Sequence, residues 1–147
     1  MKISISADSL LGVAAHVPEW VRERGHTVIL HGALDPGSSA GWADCSAAAA
    51  SDVAEGRADQ AVICCFTGTG ASIAANKVAG VRAALCTDAF SAAGARKWND
   101  ANALCLSLRL VSAPVLQEML DAWFAATVDP AQAGNIGIVE AMDRRTP

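Results

Sequence analysis

No two of the five cysteines in this 147-residue sequence stand at CxxC spacing, and none falls at a metal-finger interval. The three histidines are scattered without ligand spacing, and no pair of carboxylates calls for a metal or a cofactor. Positive charge is in deficit, with a formal net charge of −4. Nucleic acid and anionic membrane surfaces are thereby excluded as partners, since both need a basic face. No apolar run approaches the roughly 20 residues needed to span a bilayer. The opening "MKISISADS" lacks the apolar core of a signal peptide. An odd set of cysteines without that signal implies free thiols in a reducing, cytoplasmic setting.

What the chain does have is small and apolar. Hydrophobic residues make up 52% and charged residues 18%, which suits one compact domain over residues 1–147 rather than a disordered chain. Strands are expected at 2–7, 26–31, 60–65, 81–86 and 103–108. Between them, Leu10, Val13, Val17 and Val21 keep helical spacing, with Gly25 as the stop and Pro18 as a kink or the true start. Further helices are expected over 42–55, from Gly70 to Val78, over 89–97 behind an Asp88 cap, from Ser112 onward, and over 130–144. Strands apolar on both faces and alternating with helices imply a parallel sheet covered on both sides. The expected class is α/β, a three-layer αβα Rossmann-like sandwich on a five-stranded parallel sheet. Segment 129–147 is expected at its periphery, at a subunit interface.

Ligands of such sheets sit beyond the C-terminal ends of the strands, where Asp8, Cys65, Asp88 and Arg109 all fall. The stretch "ICCFTGTGASIAANK" (63–77) ends a strand in two cysteines, turns through glycines and opens a helix. Gly68 and Gly70 permit close approach, and peptide N–H groups at the helix start suit a small oxyanion or phosphate. The Walker lysine is absent and position 73 is Ile, so the loop is not a nucleotide motif. Cys65, last in its strand, is either a buried small hydrophobe or a thiolate base able to take a proton α to a carbonyl. Cys64 points the other way, into the packed layer.

The words "CFTGTGASIAANKVAGVRAALCTD" and "KWNDAN" resemble the ribose-5-phosphate isomerase B and galactose-6-phosphate isomerase family, from "ISADS" to about "LDAWF". That resemblance implies an aldose–ketose isomerase working through a cis-enediolate without cofactor or metal. It makes Cys65 the proton-shuttling residue and, with Thr67, the catalytic pair. Thr67, Gly68, Thr69 and Gly70 become the loop that stabilises the enediolate oxygens. Asp8 and Asn99 become sugar-hydroxyl contacts, and Arg109 a ligand contact. It further implies a homodimer or a tetramer with each active site shared between subunits, acting on a small carbohydrate, phosphorylated in the family.

Four departures bear on substrate. Ser9 stands where the family has a ring-opening histidine, and Trp98 replaces the histidine of "HNDAN". Phe66 replaces the glycine after the cysteine and narrows or covers the site. The phosphate arginines fall on Gly134 and Ile138, unless Arg144 or Arg145 supplies the charge. Opening a furanose needs a proton on its ring oxygen, which imidazole delivers well near neutrality. A short or acyclic sugar phosphate, such as a tetrulose phosphate, needs no such step.

Other readings stay open at several positions. Asp8 is either a ligand contact or a helix cap, and Asn99 a ligand contact or a turn residue. Arg109 is a ligand contact or an ion-pair partner, while Trp42 and Trp98 wall a pocket or pack an interface. Two alternative functions accompany the sugar-phosphate isomerase. One is an isomerase or epimerase of an unphosphorylated or carboxylated carbohydrate. The other is a non-catalytic subunit of a heteromeric isomerase.

Overall fold

The computed structural model describes residues 1–143. Arg144 and Arg145, the alternative sources of positive charge, lie outside the described residues, as does the last position of the expected helix 130–144. Five strands, β1 (Lys2–Ala7), β2 (Thr27–Gly32), β3 (Gln60–Cys65), β4 (Ala83–Leu85) and β5 (Ala103–Ser107), pair in parallel in the order β2-β1-β3-β5-β4. Six α-helices accompany them: α1 (Val17–Glu23), α2 (Trp42–Ala54), α3 (Thr69–Ala75), α4 (Ala89–Asn99), α5 (Ala113–Ala125) and α6 (Ala133–Met142).

Alternation along the central strands divides the core into two layers. Ile3, Ile5, Val62, Cys64, Leu104 and Leu106 face α1, α4 and α5. Leu116, Met119, Leu120 and Trp123 of α5 are wholly buried there, each worth about 1.5–3 kcal/mol. Trp123 donates its one indole N–H to Gln60 Oε1 at 2.7 Å, so its burial leaves no donor unsatisfied. The opposite layer is built from smaller side chains. Ala61, Ile63, Cys65, Ala103 and Cys105 meet Ala49 and Ala50 of α2 and Ala71 and Ala75 of α3. The result is the expected three-layer αβα sandwich.

Boundaries differ from expectation where tertiary context or a stop residue takes over. The first helix begins at Val17 with Pro18 in its first turn, where the missing N–H costs nothing. Leu10 therefore lies in an exposed loop, with a single 3-10 turn at Ala14–His16 behind it. Helix α4 starts at the expected Asp88 cap, whose carboxylate takes the Ser91 N–H at 2.7 Å. It runs two residues further than expected, so Trp98 and Asn99 sit in its last turn, and Asp100 ends it in the left-handed region at φ 45°. Strand β4 keeps only three residues of the expected six.

Candidate active site

Strands β1 and β3 are neighbours, yet the chain leaves them to opposite faces, toward α1 and α3 respectively. A crevice opens between their C-terminal ends. Asp8, Trp42, Cys65, Phe66, Thr67, Thr69 and Gly70 line a cleft of about 270 Å³ there.

Cys65 ends β3 with its side chain on the α2–α3 side, 4% exposed, where the small residues leave it a path to the cleft. Its sulfur accepts the peptide N–H of Gly68 at 3.1 Å. Gly68 holds φ at +77°, and a Cβ there would stand 2.5 Å from Leu85 Cδ1 and 2.9 Å from the Leu106 carbonyl carbon. Only glycine can present that N–H from that position. The neighbouring Cys64 is sealed in the opposite layer, where burial pushes its thiol well up. Burial does the same to Cys105, and raises Cys86 to about 11.

Asp8 caps no helix. One carboxylate oxygen takes the Phe66 N–H at 3.2 Å across the crevice, and the other takes the Ser9 hydroxyl at 3.3 Å. The Thr67 and Thr69 hydroxyls are bonded to one another at 2.7 Å. Peptide N–H groups of the first turn of α3 have no intrahelical acceptor and remain available for an oxyanion. The Trp42 ring lies on Gly70, where an added Cβ would meet ring carbons at 2.8–3.2 Å. Sequence left Trp42 undecided between wall and interface; the glycine-rich turn before it, which starts α2 beside the crevice, was the available signal.

Two other expected residues lie elsewhere in the chain. Trp98 and Asn99 line a small cavity of about 110 Å³ between α4 and α6. Both also line the groove of Cys86 and Phe90, whose ring meets Trp98 edge-on at 5.7 Å. Arg109 is exposed just past β5 and donates its backbone N–H to the Phe66 carbonyl at 3.1 Å. Its guanidinium enters no ion pair among the described residues. Gly134 and Ile138 are exposed on α6, with no base between Ala133 and Met142.

No imidazole reaches the cleft. His16 stacks on Trp20, His26 sits against Phe124 and the chain's amino terminus, and His31 bonds Asp52 at 2.7 Å. Among the described residues no group of three or more His, Cys, Asp or Glu is placed to hold a metal ion, and no helix is long and apolar enough to cross a membrane.

A family model described as Ribose/Galactose Isomerase matches residues 3–138. The chain belongs to the ribose/galactose isomerase family. It is 34% identical to the galactose-6-phosphate isomerase subunit LacB of Clostridium acetobutylicum, over 97% of this chain and 82% of that one. It is 32% identical to a D-erythrulose-4-phosphate isomerase of Pectobacterium atrosepticum, over 86% and 84%. Among solved structures, ribose-5-phosphate isomerase B of Clostridium thermocellum superposes with a TM-score of 0.87 at 31% identity, covering 98% of each chain. As a member of this family the chain is an isomerase of the aldose–ketose class.

Proposed function

We propose that this single domain, residues 1–147, interconverts a short acyclic aldose phosphate and its ketose, with Cys65 as the proton-shuttling base. The observation that carries this reading is the Cys65 sulfur on the cleft, 3.1 Å from the Gly68 N–H. The thiolate takes the proton from the carbon next to the carbonyl, and the electron pair moves onto the carbonyl oxygen. The cis-enediolate that results is held by the N–H groups of the 67–70 loop. The thiol then returns its proton to the adjacent carbon, while the Thr67 hydroxyl passes the second proton between the two oxygens. Nothing is consumed, and no cofactor enters the balance.

Two features support a tetrose-sized substrate. The cleft has no imidazole to open a furanose, and Phe66 adds a side chain at its rim. A relative named for D-erythrulose 4-phosphate acts on a sugar of that size. Asp8 and Ser9 would take substrate hydroxyls, and Arg109 the anionic end. Trp98 and Asn99 would reach the cleft from a second copy of the chain in a cytoplasmic homodimer or tetramer.

A second reading, a subunit dependent on a paralogous partner, is supported by the lack of an imidazole at the cleft and by the relative named as a galactose-6-phosphate isomerase subunit. Solvent-deuterium incorporation into tetrose, pentose and hexose phosphates by the purified chain separates the two. Incorporation into a tetrulose phosphate that disappears in Cys65→Ala supports the isomerase. Its absence with every sugar, and its return when a paralogue is added, supports the subunit.

A further inference from the structure

Ser107 ends β5 directly opposite Cys65 in register, and only 1% of it is exposed. Its hydroxyl donates to the Phe66 carbonyl at 3.0 Å and accepts the Leu110 N–H at 3.3 Å. A second bond, from Val111 N–H to the Ser107 carbonyl at 3.0 Å, closes the turn that carries Arg109. One buried hydroxyl thus joins the loop behind Cys65 to the turn behind β5.

The Phe66–Thr67 peptide lies past the last residue of β3, where a chain ordinarily peels away from its ladder. Here its carbonyl takes two bonds, from Arg109 N–H and from Ser107 Oγ, while Asp8 holds the preceding Cys65–Phe66 peptide through the Phe66 N–H. Gly68 follows one residue later, pressed so closely on the Leu106–Ser107 peptide that a Cβ would stand 3.0 Å from Ser107 N. The N–H that meets the Cys65 sulfur lies on the next peptide along, so its aim follows from the Phe66–Thr67 plane that the Ser107 hydroxyl holds and from the Leu106–Ser107 backbone against which Gly68 is pressed.

We propose that Ser107 is a positioning residue: its hydroxyl sets the Phe66–Thr67 peptide so that Gly68 N–H stays on the Cys65 sulfur, and it locks the Arg109 turn to the same loop. The inference rests on Cys65 as the reacting group, but its structural part can be read without any sugar. A hydrogen bond to the charged form of a nucleophile favours that form. Loss of the aim therefore slows the sulfur while leaving the cleft lining intact.

The test uses the full chain as wild type, Ser107→Ala and Ser107→Thr, with Ser107→Gly as a second variant without the hydroxyl should the alanine protein not fold. Alkylation of Cys65 by iodoacetamide at fixed pH is expected to slow about five- to tenfold in Ser107→Ala, the rate equivalent of one ordinary hydrogen bond. The Gly68 amide resonance is expected to move in the same variant, and Ser107→Thr to restore both. With D-erythrulose 4-phosphate, kcat is expected to fall by a similar factor with KM little changed. A lowered melting temperature with unchanged alkylation and an unmoved Gly68 resonance overturns the proposal, because a merely structural serine behaves that way. Absence of turnover of D-erythrulose 4-phosphate by wild type refutes the tetrulose phosphate reading alone, since alkylation and the amide resonance still decide the role of Ser107.

Discussion

Gly68 gives its peptide N–H to the sulfur of Cys65 at 3.1 Å, three residues back along the same turn. That contact needs a left-handed residue with no Cβ and a strand that ends with its last side chain toward the α2–α3 layer. The same layer is made mostly of alanines and cysteines, which leaves the sulfur a path to the cleft. The opposite layer, filled by Leu104, Leu106, Leu116 and Trp123, leaves Cys64 none.

Cys65→Ser keeps the shape and replaces the thiol with a hydroxyl. Activity is expected to fall about 10²–10⁴-fold, the usual contribution of a general base, with the fold unchanged by circular dichroism. Retention of more than a tenth of wild-type turnover would falsify the assignment of the base.

Gly68→Ala forces an L side chain to φ +77° and drives Cβ against Leu85, Leu106 and Ser107. Left-handed strain and overpacking together are expected to cost at least about 2 kcal/mol of stability, read as a lower urea midpoint. Gly134→Ala, on helix α6 with nothing within 4 Å of its Cβ, is the control and should hold or slightly raise the midpoint.

Strand positions were legible as short apolar runs between turn signals, and the Cys64/Cys65 division because successive side chains of a strand point to opposite faces. The "SIAANK" and "NDAN" words supplied the family. The start of the first helix was less legible, since Leu10 and Val13 keep helical spacing although only a single 3-10 turn at Ala14–His16 precedes the α-helix that starts at Val17. The cleft itself was half legible. Trp42 arrives from a different βα unit, and no local pattern states which strand end its helix start will face. Ser107 was invisible for a related reason: a serine in "ALCLSL" acquires its partners only when β5 pairs with β3. Trp98 and Asn99 were grouped with Cys65 through resemblance, whereas within one chain the α4 helix carries them to other cavities.

Asp52 of α2, 4% exposed, accepts bonds from Ser4 at 2.8 Å, His31 at 2.7 Å and Arg57 at 2.7 Å. Burial pushes its carboxyl up, but the bonds from His31, Arg57 and Ser4 outweigh that and hold it below its ordinary value. The unfolded chain therefore binds more protons at this site than the folded one. Its stabilisation is full above the unfolded carboxylate range, near about pH 4, and fades as pH falls through the lower folded value. Asp52→Asn is expected to lose about 3 kcal/mol at neutral pH, with the gap to wild type closing in acid. Urea midpoints of both proteins from about pH 7 to about pH 3 check this, and a gap that stays constant refutes it.

Phe66 cannot swing aside with its backbone, which is held at N–H by Asp8 and at the carbonyl by Ser107 and Arg109. Its side chain, half-exposed, lines the same cleft as Trp42. Phe66→Gly is expected to raise kcat/KM for a six-carbon ketose phosphate relative to D-erythrulose 4-phosphate by about tenfold, the discrimination that a few methylene-sized contacts supply. An unchanged ratio means that chain length is read elsewhere.

Ring opening gives the sharpest test of substrate class. Trp98 is 40% exposed and lies on Gly94, where an added Cβ would be 2.5 Å from its ring, so a smaller side chain leaves the helix intact. Indole has no proton to exchange near neutrality, whereas imidazole transfers one readily. In the shared-site arrangement proposed above, Trp98→His places that imidazole at the partner's cleft. Turnover of ribose 5-phosphate, which must open before it can react, is expected to rise by at least about tenfold, the lower part of the range for general acid–base assistance being about a hundredfold. Turnover of D-erythrulose 4-phosphate, which has no ring to open, should stay within about twofold because only the enediolate steps limit it. If wild type already handles ribose 5-phosphate as well as the tetrulose phosphate, and the histidine variant does no better, the acyclic substrate class is wrong and another group opens the ring.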